Sequence, residues 1–246
     1  MKGTATKNKL TAVLAFLFLL PVVMSAQDDY RIYMEQAGSS SLRYRGKKAC
    51  VYPMAFNGTY YWKDPTFLTG EVCYDGIVYS GLMMNVDAVQ QDLVVKTDVA
   101  GADQVFDRER VEQFRMGGHR FLNLRNLYGE SAPDGYWEVL YDGRAKVLKQ
   151  VSRQLRKDVD GRFRVEMGYD DDTYRSDVLW IFLYEARYCY LTEEGAVYPL
   201  RTRGQLMKHY KNHRREINRY ISIKESSRRL DMENFFTEVV KYAESL

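Results

Sequence analysis

The chain has 246 residues, with 36 lysines and arginines against 33 aspartates and glutamates; tyrosine is abundant at 20 and proline scarce at 5. Lys2, Lys7 and Lys9 account for the whole formal excess of three, because the first 26 positions hold no acidic residue. The remainder is balanced, which removes the basic surplus that sequence-independent nucleic-acid binding requires.

The N-terminus has the order of a secretory signal: the three lysines, an apolar run over residues 10–20 interrupted by Thr11, a break at Pro21, and small residues at Ser25 and Ala26. A membrane span needs ~20 apolar residues, and this run is shorter. The expectation is a cleavable signal over 1–26 and an exported product, periplasmic or envelope-associated and not transmembrane after cleavage. No cysteine lies at the cut, so lipid attachment at an N-terminal cysteine is not expected. Cys50, Cys73 and Cys189 are too few for a disulfide framework and sit in apolar, strand-like runs, as small buried hydrophobes do. An oxidising compartment leaves one bridge among them open.

After a small polar stretch at Gly38-Ser39-Ser40-Ser41, turn dipeptides punctuate aromatic, apolar runs. Asn57-Gly58, Asp75-Gly76, Asp142-Gly143 and Asp160-Gly161 supply the positive φ angles of tight hairpins. They predict an antiparallel β-meander over 27–200. Residues 178–184 lack alternation, as in a strand covered on both faces, and Glu193-Glu194-Gly195 turns the chain into a strand over 196–200. Past Pro199 the period changes. Leu206, Tyr210, His213, Ile217 and Tyr220 fall at helical spacing, and Met232, Phe235, Phe236, Val239, Val240 and Ala243 form a second apolar stripe. Asp231 is the expected N-cap of that second helix, with Leu230 and Phe235 stapled across it. Residues 201–246 are therefore expected to be two amphipathic helices packed on the same domain. The fold class is α+β, mainly β: a curved sheet or partly closed barrel with C-terminal helices.

The run 70–79 (GEVCYDGIVY), with Asp87 and residues 92–95 after it, the run 139–148 (VLYDGRAKVL), and the ending of Tyr198-Pro199-Leu200 before a basic and then an aromatic helix resemble a family of exported β-rich proteins of Bacteroidota. That family has no assigned activity. The resemblance implies an envelope location and assigns no catalytic residue.

Each tempting site meets a plainer reading. His209 and His213 have the spacing of a helical metal pair but lack a third ligand, so they are expected to be packing or surface residues. Aligning Gly161 with a calcium loop places Arg156 and Met167 at ligand positions, and the motif fails. Asp170, Asp171, Asp172 and Asp177 read as a solvated acidic loop. His119 follows Gly117-Gly118 without a nucleophile elbow anywhere in the chain. In Tyr60-Tyr61-Trp62 and Tyr136-Trp137, neighbouring rings are expected on opposite strand faces, as core.

Charge is concentrated at one place. Residues 201–229 hold ten basic residues and two acidic ones, and Lys208, Lys211, Arg214, Arg215 and Arg219 share one helix face. That face could meet an envelope protein or anionic lipid. The expectation is a non-enzymatic protein without metal or cofactor, serving interaction or assembly. The alternative is a small-ligand or lipid carrier with an apolar cavity between sheet and helices. An integral barrel is disfavoured by charges along 108–115 and 146–156.

Overall fold

A computed structural model describes residues 47–96, 103–158, 180–226 and 229–246, all within one compact unit, Gly46–Leu246. The signal segment, the stretch 38–41, Asp160-Gly161 and Asp170, Asp171, Asp172 and Asp177 lie outside the described residues.

The architecture is one antiparallel sheet of eleven strands with helices at the C-terminus. The strands are β1 (Lys47–Lys48), β2 (Leu68–Tyr74), β3 (Ile77–Asp87), β4 (Asp92–Val95), β5 (Gln104–Val105), β6 (Val111–Met116), β7 (His119–Asn123), β8 (Tyr136–Asp142), β9 (Lys146–Lys157), β10 (Trp180–Leu191) and β11 (Val197–Leu200). Their spatial order is β1-β5-β4-β3-β2-β6-β7-β8-β9-β10-β11. Two meander runs, β2 to β5 and β6 to β11, thus meet where β2 pairs β6. Only residues 106–110 join β5 to β6, so the sheet must curl to bring these ends together. The ring of Phe106 lies 5.0 Å from that of Tyr74 on β2.

Turn chemistry explains most of the hairpins. Asp75 and Gly76 take φ of 52° and 73° between paired Tyr74 and Ile77, the mirror-image turn expected there. Gly117 and Gly118 do the same between Met116 and His119, with φ of 54° and 84°. Two expected hairpins differ. Asn57-Gly58 joins no strand pair; Asn57 bridges Ile181 of β10 in parallel instead. Asp142-Gly143 opens a longer loop, with Asp142 opposite Lys146. Gly143 serves a different need, since a β-carbon there would overlap the Glu244 carboxylate, which accepts from the backbone N–H of Arg144 and Ala145.

The sheet is curved and not closed strand to strand. Beyond Lys149, β9 outruns β8, and the β3–β4 turn takes the vacated edge. Arg153 N–H donates to the Ala88 carbonyl at 3.0 Å, and Gln91 Nε2 to the Val151 carbonyl at 2.9 Å. Asp87 holds that turn, accepting from the N–H groups of Val89 and Gln90 and from the Tyr52 hydroxyl. Burial raises the Asp87 carboxyl pKa above the usual carboxylate value. Residues 57–62 complete the bridge, with Asn57 on β10 and Tyr61 opposite Asp87 on β3.

The helices are α1 (Leu124–Tyr128), α2 (Arg203–Met207), α3 (Arg214–Lys224) and α4 (Met232–Ala243). Phe235, Phe236, Val239 and Val240 of α4, with Ile217 and Ile221 of α3 and Leu206 of α2, bury Val147, Tyr190 and Leu200 of the sheet. The Asp231 side chain accepts from Asn234 N–H at 2.7 Å, the cap expected from sequence. On the opposite sheet face Leu122, Trp137, Leu148, Cys189 and Leu191 pack with Leu124 of α1. No helix among the described residues is long and apolar enough to cross a membrane.

Candidate functional site

The basic segment expected as one helix is broken in three: α2, a 3-10 turn at Lys211–His213, and α3. The capping box of Thr202 and Gln205 starts α2, and the chain re-forms a helix only at Arg214. The break shifts the helical phase. His213, expected within the apolar stripe, is exposed; so is His209, although one side of its ring lies against those of Tyr190 and Tyr198 at 4.6 and 4.8 Å. Burial lowers the His209 pKa below 6.5. No group of three or more His, Cys, Asp or Glu among the described residues is placed to hold a metal ion.

Lys208, Lys211, Arg214, Arg215 and Arg219 are all exposed despite the break. Lys211, Arg214 and Arg215 line an open depression of about 580 Å³ together with Glu216. None of the five forms an ion pair among the described residues. Two other cations of the segment differ: Arg203 binds Glu225 at 2.7 Å and Lys224 reaches Glu238 at 3.4 Å. The apolar side of α3, Ile217 and Ile221, is spent on the sheet.

A second site was not visible as a motif. Strand register builds it. Glu138 on β8 pairs Phe121 on one side and Lys149 on the other, His119 lies two residues from Phe121, and Arg153 lies four from Lys149 opposite Tyr184. With a side-chain period of two, all of these project from the same face. Helix α4 covers that face at the Val147 end, and residues 52–62 cover it beyond Arg153. A cleft of about 330 Å³ remains between them.

Its groups are held in place. His119 Nδ1 is 2.7 Å from Glu138 Oε1, and Glu138 is only 7% exposed. Lys149 Nζ donates to Glu233 Oε2 of α4 at 2.6 Å. Burial pulls the Lys149 ammonium pKa down, but the hydrogen bonds to Glu233 and Tyr184 and the Glu233 charge outweigh it and leave it raised. Arg153 Nε donates to the Tyr61 carbonyl at 2.9 Å, and its guanidinium sits 5.3 Å from the Tyr184 ring centre. Trp62 meets His119 edge-on at 4.8 Å.

No family model, no curated protein and no solved structure matches this chain.

The remaining candidates fall in ordinary places. Tyr136 stands edge-on to Phe114 while Trp137 packs with Leu122 and Leu148, the opposite faces expected. Tyr60 and Tyr61 break that rule: they lie outside the strands, and their rings touch at 4.3 Å. Cys73 and Cys189 lie on β2 and β10, but of the expected buried trio only Cys189 is buried: Cys73 is half-buried, and Cys50 is exposed and outside any strand. All three are free, and burial pushes the Cys189 thiol up to about 12.

Proposed function

We propose that this is a non-enzymatic, exported cell-envelope protein whose working surface is the basic face Lys208, Lys211, Arg214, Arg215 and Arg219, docking on an acidic protein partner. The observation that carries this reading is the five exposed cations, which form no ion pair among the described residues, whereas Arg203 and Lys224 of the same segment are paired. An acidic protein surface fits better than insertion into lipid, because an interfacial helix needs a free apolar face, and Ile217 and Ile221 of α3 are buried on the sheet, leaving only Ile223 of its apolar residues exposed. Export follows from the N-terminal segment. The carrier alternative has less support, since Phe236, Val239, Ile217 and Leu206 fill the space between sheet and helices.

The test is binding to polyglutamate and to anionic phosphatidylglycerol vesicles at low salt, with a variant carrying glutamine at all five positions. Exposed ion pairs contribute about 0.2–1 kcal/mol each. Polyglutamate binding should therefore weaken about tenfold or more in the variant and fall with added salt. Equal binding by both proteins overturns the reading. Binding to vesicles alone transfers the surface to lipid.

A further inference from the structure

We propose that the cleft walled by Trp62, His119, Glu138, Lys149, Tyr184 and Glu233 is a binding site for a neutral, hydroxyl-rich ligand, a single sugar ring in size. This goes beyond the docking role of the basic face and does not rest on it.

Size sets the first limit. Small-molecule sites run from about 300 to 1,000 Å³, and this cleft, at about 330 Å³, lies at the lower end. It has room for one ring or the end of a chain. Lining sets the second. Most such sites are predominantly apolar with a few polar groups, whereas here two carboxylates, an imidazole, the ammonium groups of Lys63 and Lys149 and a guanidinium surround Trp62, Val151 and Tyr184. An apolar ligand would shut water away from the donors and acceptors those groups still have to spare, at a cost of about 1–3 kcal/mol for each one left without a partner.

Charge arrangement separates a neutral polar ligand from an ion. At the floor of the cleft charges of both signs interleave: Lys149 is bound to Glu233, Glu138 to His119, and Arg153 to the Tyr61 carbonyl, with Lys63 left at the exposed edge. An anion placed at Lys149 meets the Glu233 carboxylate, and a cation placed at Glu233 meets the Lys149 ammonium. Hydroxyl groups face no such conflict, because each both donates and accepts. Glu138 and Glu233 supply acceptors, and Lys149 supplies donors beyond the one it gives to Glu233. Tyr184 adds the apolar wall: it is 41% exposed, and the Arg153 guanidinium steadies its ring. The C–H face of a sugar ring can lie on that exposed aromatic surface.

The experiment is saturation-transfer difference NMR with D-glucose, D-galactose, D-mannose and N-acetyl-D-glucosamine, and with the zwitterion alanyl-alanine as the charged comparison. Tyr184→Ala and Glu138→Gln are the variants; Tyr184 is exposed enough for its loss to leave the fold intact, which a circular dichroism melt verifies. The expected result is transfer to at least one sugar, reduced several-fold in Tyr184→Ala, with Glu138→Gln reduced alongside it. No transfer to any of the four sugars overturns the proposal. So does transfer that both variants leave unchanged, or transfer to alanyl-alanine alone.

Discussion

The cleft and the basic face use charge in opposite ways. In the cleft the two cations on the sheet are engaged: Lys149 binds Glu233 on α4 and Arg153 binds the Tyr61 carbonyl, so charge is part of how the sheet, the helix and residues 52–62 are held together, while Lys63 at its edge is exposed. On the basic face five cations stand in solvent, and the apolar groups beneath them do the holding. The difference is one of desolvation. A charge taken out of water must be paired within the fold, whereas a charge left in water contributes little to stability and remains available to a partner.

Three measurements can break or sharpen that contrast. The largest effect is expected where both regions share a floor. Phe236 is fully buried between α4 and the sheet, next to Tyr188. Phe236→Ala should lower unfolding stability by about 3–5 kcal/mol in urea, and it should disturb both regions, since α4 carries Glu233 and supports α3. A loss near zero would mean that the helices contribute little to the fold.

The next effect separates the two regions. Lys149→Ala removes both a largely buried ammonium partner and the packing of its stem, and should cost about 1–3 kcal/mol. Arg215→Ala, at an exposed and unpaired cation, should stay within about 0.5 kcal/mol of the parent. Equal losses in the same urea titration would erase the distinction drawn between them.

The smallest effect is set by pH. Burial against Tyr190 and Tyr198 depresses the His209 pKa in the folded protein. The unfolded chain, with a value of about 6.5, therefore binds the proton more readily. Stability from this residue is complete above about pH 6.5 and declines as pH falls from there to the folded value. His209→Phe should flatten that part of the urea midpoint profile between about pH 7 and about pH 5. An identical profile in parent and variant would show that the ring contacts do not desolvate His209.

Much of the fold could be read along the chain. Asp75-Gly76 turned where its φ demands predicted, Asp231 capped α4, and the stripe of Phe235, Phe236, Val239 and Val240 faced the sheet. These are local matters, decided by residues within a turn or two of each other. Asn57-Gly58 misled for the same reason: its turn chemistry is local, but its hydrogen bonds go to Trp180 and Phe182 on β10, more than a hundred residues away. The basic face could be read as a cluster of charge, though not the break at Lys211–His213 that rotates His213 outward.

The sequence by itself determined the charge balance, the antiparallel strand-rich class, the two C-terminal helical regions and the identity of the five exposed cations. Only the tertiary structure decided that the sheet curls until residues 57–62 and the β3–β4 turn bridge its gap, and that His119, Glu138, Lys149, Arg153 and Tyr184 share one cleft. No spacing announces that cleft, because its members come from four strands. What aligns them is cross-strand register, with a side-chain period of two, and the place where α4 ends its cover.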